Sequence, residues 1–420
     1  MHLFYKIAIR IYFFVIYLFS FFNKKAKFWI NGRKHVQFIR CKDSILFHFA
    51  SLGEFEQGRP VLEQIRSLYP DSKIIITFFS PSGYEVRKNT PLADAVYYLP
   101  LDTAKNAHDF IDTIKPKMAI FTKYEYWYYF YSEMYMRNIP IYIISGIFRP
   151  EQVFFKWYGG LHREILRFVS RFFVQNESSK ELLLGIGLNN VTVSGDTRFD
   201  RVWANAQSVK KIVKVKEFKN GDKVFIAGST WPPDEKLIVS LVKQYPAWKF
   251  IIAPHEISEE KIKKLEEMLP NGSYVRYSQL STSNSSGTTH HSPFAVLIID
   301  NVGMLSSLYQ YGNIAYIGGG FGVGIHNTLE AAAFGLPVIF GPNYAKFKEA
   351  HDLIKMKGGF SIYDAEELKT VVDALINDNM FYTQTTNNIK NYVKNHTGAT
   401  KIIVDFIKAP AVVSNNRIKP

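Results

Sequence analysis

Residues 316–342 read YIGGGFGVGIHNTLEAAAFGLPVIFGP, and the fold turns on this stretch. A short apolar strand runs into five glycines, Gly318, Gly319, Gly320, Gly322 and Gly324, within seven residues. Glycine tolerates positive φ and lets a ligand or a second backbone come close. His326, Asn327 and Thr328 can cap a helix, and the helix formers Leu329 to Phe334 follow. Gly335 and Pro337 stop that helix, and a second apolar strand begins at Val338. Strand, glycine turn and helix N-terminus together offer N–H groups and a positive dipole end, which suits an anion. Glu330 stands about one turn in, where a carboxylate can accept hydrogen bonds from sugar hydroxyls. The stretch reads as a phosphate-and-ribose clamp, or as a turn that only packs a helix on a sheet. A glycine-rich turn alone does not choose between them.

Strands and helices alternate throughout the flanking sequence. Apolar strands are expected at 223–230 (KVFIAGST), 248–256 (WKFIIAPHE), 296–300 (VLIID), 314–320 and 338–341. An earlier series begins with 44–51 (SILFHFAS) and 73–80 (KIIITFFS) and continues through AVYYLPL, MAIFTKYEYW, IPIYIISG, RFFVQ and VTVSGD. Such alternation means βαβ units and parallel sheets. The expected organisation is an anchor at 1–30, a first Rossmann-like domain at 31–205, a polar linker at 206–222 and a second Rossmann-like domain at 223–410. Ligands in such sheets bind beyond the carboxyl ends of the strands, so a cleft between the domains is expected to hold them. Residues 270–293 read as a Ser/Thr-rich loop. His290 and His291 are adjacent within it and have no metal-ligand spacing, so no metal and no cofactor is expected.

The 420 residues are 47% hydrophobic and 15% aromatic, which allows large cores and excludes global disorder. The single cysteine, Cys41, excludes an intramolecular disulfide and fits a reducing compartment. The net charge is +14, and nine Lys and Arg residues precede the first acid, Asp43. Charge concentrated in this way suits an anionic membrane surface rather than a nucleic-acid groove. Residues 1–22 are apolar and aromatic but interrupted by Lys6 and Arg10, which leaves 11–22 as the longest uncharged run. That run is short of the ~20 residues that cross a bilayer. The segment either spans with its cations snorkelling or lies in the interface as an anchoring helix; a buried N-terminal helix is the competing reading.

Three polar residues follow strands of the first series. Glu54, in Ser51-Leu52-Gly53-Glu54, is either a general base or a partner of a helix dipole. Glu125 lies in the aromatic segment KYEYWYYF, and an acid there is functional or bonded to a nearby donor. Arg198, in GDTRFD, either offsets negative charge near a ligand or makes an ordinary surface ion pair.

Taken together, these motifs resemble the 3-deoxy-D-manno-octulosonic acid (Kdo) transferase family. HFASLGE is similar to its strand followed by S-V-G-E, FFSPSGYE to T-T-x-T-G, and KYEYW to T-E-[IL]-W. VTVSGDTRFD is similar to T-G-N-x-K-F-D, and AGSTWPPDE to A-G-S-T-H-x-G-E-E. HNTLEAAAFGLPVIFGP is similar to H-N-P-L-E-P-A-A…P-V-x-x-G-P. The resemblance covers nearly all of residues 1–400 in one order. It implies the GT-B architecture, two Rossmann-like α/β domains facing a cleft, with an N-terminal membrane-anchoring helix. It also implies inverting transfer of Kdo from CMP-Kdo to a lipid A precursor, with no obligatory metal. The implied setting is the inner membrane, with the catalytic domains on its cytoplasmic side. Glu54 would be the general base, and Glu125 and Arg198 would support the transition state. Pro254, His255, Val302, Gly303 and Met304 would lie against CMP, and Asn327, Thr328, Leu329 and Glu330 would hold its phosphate and ribose.

Three departures stand out. The family's Pro-Arg-His is here Pro254-His255-Glu256, its G-E-L is Gly303-Met304-Leu305, and the proline after its tryptophan is Tyr128. Two other readings remain at this stage. One is another two-Rossmann nucleotide-sugar enzyme, such as a UDP-sugar transferase or a UDP-N-acetylglucosamine 2-epimerase. The other is a non-catalytic, membrane-bound sugar-lipid binding protein.

Overall fold

A computed structural model of the chain describes residues 2–34, 36–123, 125–280 and 293–409. The His290–His291 pair and the polar C-terminal tail lie outside the described residues. The chain forms two compact units. One runs to Arg201 and takes in the chain again from His396; the other is Val202–Asn395.

The first unit is built on seven strands: β1 (Ser44–Phe49), β2 (Ile74–Phe78), β3 (Ala95–Tyr98), β4 (Pro116–Thr122), β5 (Ile141–Gly146), β6 (Arg171–Val174) and β7 (Val191–Val193). They lie in the order β3-β2-β1-β4-β5-β6-β7, and every pair is parallel. Every residue of β1 and β2 is buried, as a parallel sheet covered on both faces requires. On one face the helix Leu52–Leu68 sets Phe55, Val61, Leu62 and Ile65 against Ile45, Phe47 and Phe49. On the other, Phe110, Ile111, Ile114 and Phe130 pack against Leu46, Ala119 and Phe121. A Cβ at Gly58 would lie 2.5 Å from Phe49 Cε1 and 2.8 Å from Thr122 Oγ1. Only glycine therefore lets this helix sit down on β1 and β4. The strand order reverses between those two strands, so their carboxyl ends flank the switch point.

The second unit repeats the plan with β8 (Val224–Thr230), β9 (Lys249–Pro254), β10 (Tyr274–Arg276), β11 (Val296–Ile298), β12 (Ile314–Ile317), β13 (Val338–Phe340) and β14 (Gly359–Ser361). The order is β10-β11-β9-β8-β12-β13-β14, again all parallel, and it reverses between β8 and β12.

Three details depart from the sequence expectation. The loop expected at 270–293 contains β10, a three-residue edge strand too short to show a period. The expected linker holds the helix Val213–Lys219, with Val215 and Phe218 buried. The helix Ala399–Lys408 packs Ile403, Val404 and Ile407 into the core of the first unit, not the second. Asp200 fixes that return by accepting from the Gly398 and Thr400 N–H groups at 2.5 and 2.7 Å.

The N-terminal helix, His2–Phe19, docks by one face. Ile9 is buried, and Tyr12 meets the Trp29 and Phe79 rings at centroid distances of 6.0 and 6.3 Å. Phe4, Phe14 and Phe19 of this helix, with Phe22 just after it, are exposed. Among the described residues, no helix is long and apolar enough to cross a membrane. The Tyr5 hydroxyl donates to Asp102 Oδ2 at 2.5 Å, and Asp102 also accepts from the Tyr129 and Phe130 N–H groups. Burial pushes the Asp102 carboxyl up to about 6, against the pull of these hydrogen bonds. A raised acid stabilises the fold below its unfolded value and loses that contribution as pH climbs through its folded value. Relative to Asp102→Asn, the wild type should therefore lose about 3 kcal/mol between pH 4 and pH 7 and then level off. Urea unfolding of both proteins across that range measures it, and a constant difference would contradict it.

Candidate functional site

In the first unit the polar residues collect at the carboxyl ends of the strands. Ser51 starts the helix Leu52–Leu68 directly after β1, which places Glu54 in the first turn. The Ser51 hydroxyl caps no backbone N–H group and donates instead to Glu54 Oε2. A Cβ at Gly53 would meet nothing closer than Ser51 Oγ at 3.8 Å. The protein's own packing therefore does not demand glycine beside Glu54. Glu125 follows β4, and its side chain is 17% exposed. Its Oε2 lies 3.5 Å from Nε2 of His48, a fully buried residue of β1.

Arg198 opens the helix that follows β7. Its Nε and Nη2 each lie 2.8 Å from Asp196 Oδ2, while Gln57 Nε2 donates to Asp196 Oδ1 at 2.7 Å. Burial pushes the Asp196 carboxyl up, but Arg198 and Lys123 outweigh it and hold the carboxyl below its usual range. Asp196 thus ties Arg198 to the same helix that carries Glu54, which places Arg198 more firmly than an ordinary surface pair would.

In the second unit a ring stack stands at the ends of β8 and β9. Pro254 ends β9, and His255 follows it with its N–H donating to Thr230 O at 2.9 Å. The His255 ring lies between Trp231 and His326, at centroid distances of 4.8 and 4.2 Å and interplanar angles of 26° and 22°. Trp231 Nε1 donates to His326 Nε2 at 3.1 Å, so the His326 proton is on Nδ1. Burial lowers the His255 imidazole and the Lys261 charge lowers it further; burial, then His255, lower His326. Both rings are neutral at pH 7. Lys261 Nζ lies 5.5 Å from the Trp231 ring centroid and pairs with Glu256, so a cation stands beside the position where the family's arginine is missing.

The glycine turn departs from the clamp expected of it. Its helix is the single turn Leu329–Ala332, because Gly335, at φ +74°, closes it early. One turn carries little macrodipole. Several of the turn's N–H groups are also spent internally. Gly319 donates to Asp234, Gly322 and Gly324 to Gly319 O, and His326 to Gly318 O. Packing explains two glycines: a Cβ at Gly318 would strike Ser229 O, and one at Gly320 would lie 2.6 Å from Gly341. Gly319 and Gly324 have φ of +92° and +137°.

Beyond the turn, Asn327 Oδ1 accepts from Leu329 N–H and its Nδ2 donates to Glu330 Oε1, both at 3.1 Å. Thr328 is fully buried. The Glu330 charge adds to the effect of burial in raising the Tyr309 hydroxyl. Val302 and Gly303 are exposed and Met304 half-buried where the chain bends into the helix Leu305–Leu308, whose Leu305 packs against Gly228 in β8. The structure thus brings 254–255, 302–304 and 327–330 to the carboxyl edge of the second sheet. Sequence reasoning missed Trp231, His326 and Asp234 there, and His48 in the first unit. His48 gave one signal, a histidine in an otherwise apolar strand.

The family model described as 3-deoxy-D-manno-octulosonic-acid transferase matches residues 22–201. A bifunctional glycosyltransferase/methyltransferase of Fusobacterium nucleatum is 27% identical over 371 residues, 85% of this chain and 57% of that protein. The chain thus spans little more than half of that relative. A 3-deoxy-D-manno-octulosonic acid transferase of Haemophilus influenzae is 27% identical over 379 residues, 87% of this chain and 86% of that protein. Among solved structures, UDP-GlcNAc 2-epimerase from Neisseria meningitidis superposes with a TM-score of 0.59 at 18% identity, over 87% of this chain and 99% of that one. That likeness shows the shared GT-B-like fold.

Proposed function

We propose that this chain, which is similar to the 3-deoxy-D-manno-octulosonic acid transferases, moves Kdo from CMP-Kdo to a lipid A precursor with inversion. The observation that carries the reading is the family match over residues 22–201, which includes Glu54 and Glu125 at the carboxyl ends of β1 and β4. Glu54 takes the proton of an acceptor hydroxyl, and that oxygen attacks the anomeric carbon as CMP departs. Glu125 and Arg198 support the charge that develops, and the leaving phosphate needs donors already in place. The second unit binds the nucleotide through His255, the 302–304 turn and Asn327–Glu330. The acceptor is lipid IVA, reached from the cytoplasmic face of the inner membrane. The exposed apolar side of the N-terminal helix and the basic segment after it support that placement.

Release of CMP from CMP-Kdo should depend on added lipid IVA. Release of UDP or epimerisation with UDP-N-acetylglucosamine, and none of CMP, would move the chain to the rival class. Glu330→Ala should weaken CMP binding by about 1.5–3 kcal/mol, the contribution of a charge-assisted hydrogen bond. Calorimetry showing unchanged CMP affinity would remove Glu330 from the nucleotide site.

A further inference from the structure

Buried polar atoms without a hydrogen-bond partner are uncommon and call for an explanation. Four such atoms belong to the carboxyl ends of the neighbouring strands β1 and β4 and the chain just beyond: His48 Nε2, Thr122 Oγ1, Glu125 Oε2 and Trp127 Nε1. His48 is paired with Phe121 in the sheet register, and its ring centroid is 5.3 Å from that of Phe121. Its Nδ1 lies 2.9 Å from Thr77 Oγ1. Its Nε2 and Glu125 Oε2 lie 3.5 Å apart, and among the described residues neither has a hydrogen-bond partner.

Proton accounting restricts what stands between them. The Thr77 hydroxyl has one proton to give, with His48 Nδ1 at 2.9 Å and Phe47 O at 3.3 Å. If it goes to His48, the ring N–H is on Nε2, the nitrogen nearer the carboxylate. If it goes to Phe47, Nδ1 carries the ring N–H, and two lone pairs would face each other unless the pair holds one extra proton. In the first case, and in the second once the pair holds that extra proton, a proton lies between Nε2 and Oε2.

We propose that His48 is a positioning residue that holds the Glu125 carboxylate through this proton and sets its charge as the reaction proceeds. The proposal rests on the reading of Glu125 as a site residue, and one arm of the test does not. At 3.5 Å the two atoms are a few tenths of an ångström beyond an ordinary hydrogen bond, so a small movement of Glu125 closes it. Among the described residues, the titratable groups that feel the Glu125 charge include Tyr131, whose hydroxyl donates to the Glu125 carbonyl at 2.6 Å, and Tyr12 of the N-terminal helix, which also feels Arg33. On the His48 side stand Thr77 and the Phe121 ring.

The test has two arms. In the first, the ring nitrogens of His48 are followed by NMR against pH in the wild type and in Glu125→Gln. Losing the carboxylate should shift the His48 ring-nitrogen resonances and change its tautomer. Identical His48 spectra in both proteins would overturn the proposal, whatever reaction the protein performs. In the second, His48→Gln should leave KM for CMP-Kdo unchanged, lower kcat about 10–100-fold and displace the acid limb of the kcat–pH profile. A His48→Gln protein that loses only stability, with an unmoved pH profile, would make His48 a packing residue. A clear NMR coupling with no transfer activity in the wild type would instead keep the pair and remove the reading of the reaction.

Discussion

Glu54→Gln is expected to fold, bind CMP normally and turn over about 10²–10⁴-fold more slowly, the usual contribution of a positioned acid or base. Glutamine keeps the size and can still accept from the Ser51 hydroxyl, but it cannot take a proton. The competing view makes Glu54 a partner of the helix dipole in the first turn of Leu52–Leu68. Under that view the Gln variant loses about 0.3–1 kcal/mol of stability and keeps its turnover. Ser51 weighs against it. An N-cap serine normally accepts from the helix N–H groups, yet this one spends its hydroxyl on Glu54. Gly53 points the same way, since among the described residues no side chain comes close enough to require it. Glu54→Asp should recover little, because a base one methylene shorter is misplaced. Melting temperature, CMP affinity and turnover of the Gln variant decide the matter, and wild-type turnover would remove Glu54 from the mechanism.

Replacing Phe4, Phe14, Phe19 and Phe22 together by serine is expected to release the protein from vesicles containing anionic lipid. These four rings are 78%, 58%, 62% and 94% exposed, on or just after a helix whose docking face is Tyr5, Ile9 and Tyr12. Burying an aromatic ring contributes roughly 1.5 kcal/mol or more, so four contribute about 6 kcal/mol, or some four orders of magnitude in partitioning. Because the docking face is untouched, the thermal midpoint should hold. Sedimentation with vesicles reads the partitioning, and an unchanged bound fraction would contradict the membrane placement. Loss of folding would instead show that these rings belong to an internal core.

The fold was legible because both sheets are parallel and covered. Strands such as Ile74–Phe78 are apolar along their whole length, and the helices between them carry one apolar face. The short edge strands β10 (YVR) and β14 (GFS) were not legible, since neither offers the unbroken apolar run that marks the equally short β11 and β13. Nor was the return of the helix Ala399–Lys408 to the first unit, because Asp200 reaches it across 198 residues of chain.

At the site, Glu54 and Glu125 stood out as acids at strand ends. Their partners, Ser51 and His48, depend on geometry that spacing does not carry. The glycine run shows the opposite case. It left a clamp and a packing turn both open, and Gly318 and Gly320 answer to close backbone contacts while several of the turn's N–H groups bond within the protein. The Trp231–His255–His326 stack draws on three separate segments, and only the folded sheet makes them neighbours.

The most direct test is the product itself. Purified protein is incubated with CMP-Kdo and lipid IVA, the lipid is weighed by mass spectrometry, and the anomeric configuration of the new bond is read by NMR. The account predicts lipid IVA carrying Kdo, in the configuration opposite to that of the donor, with one CMP released per sugar. Lipid without Kdo, or Kdo attached with the donor's configuration retained, would contradict it.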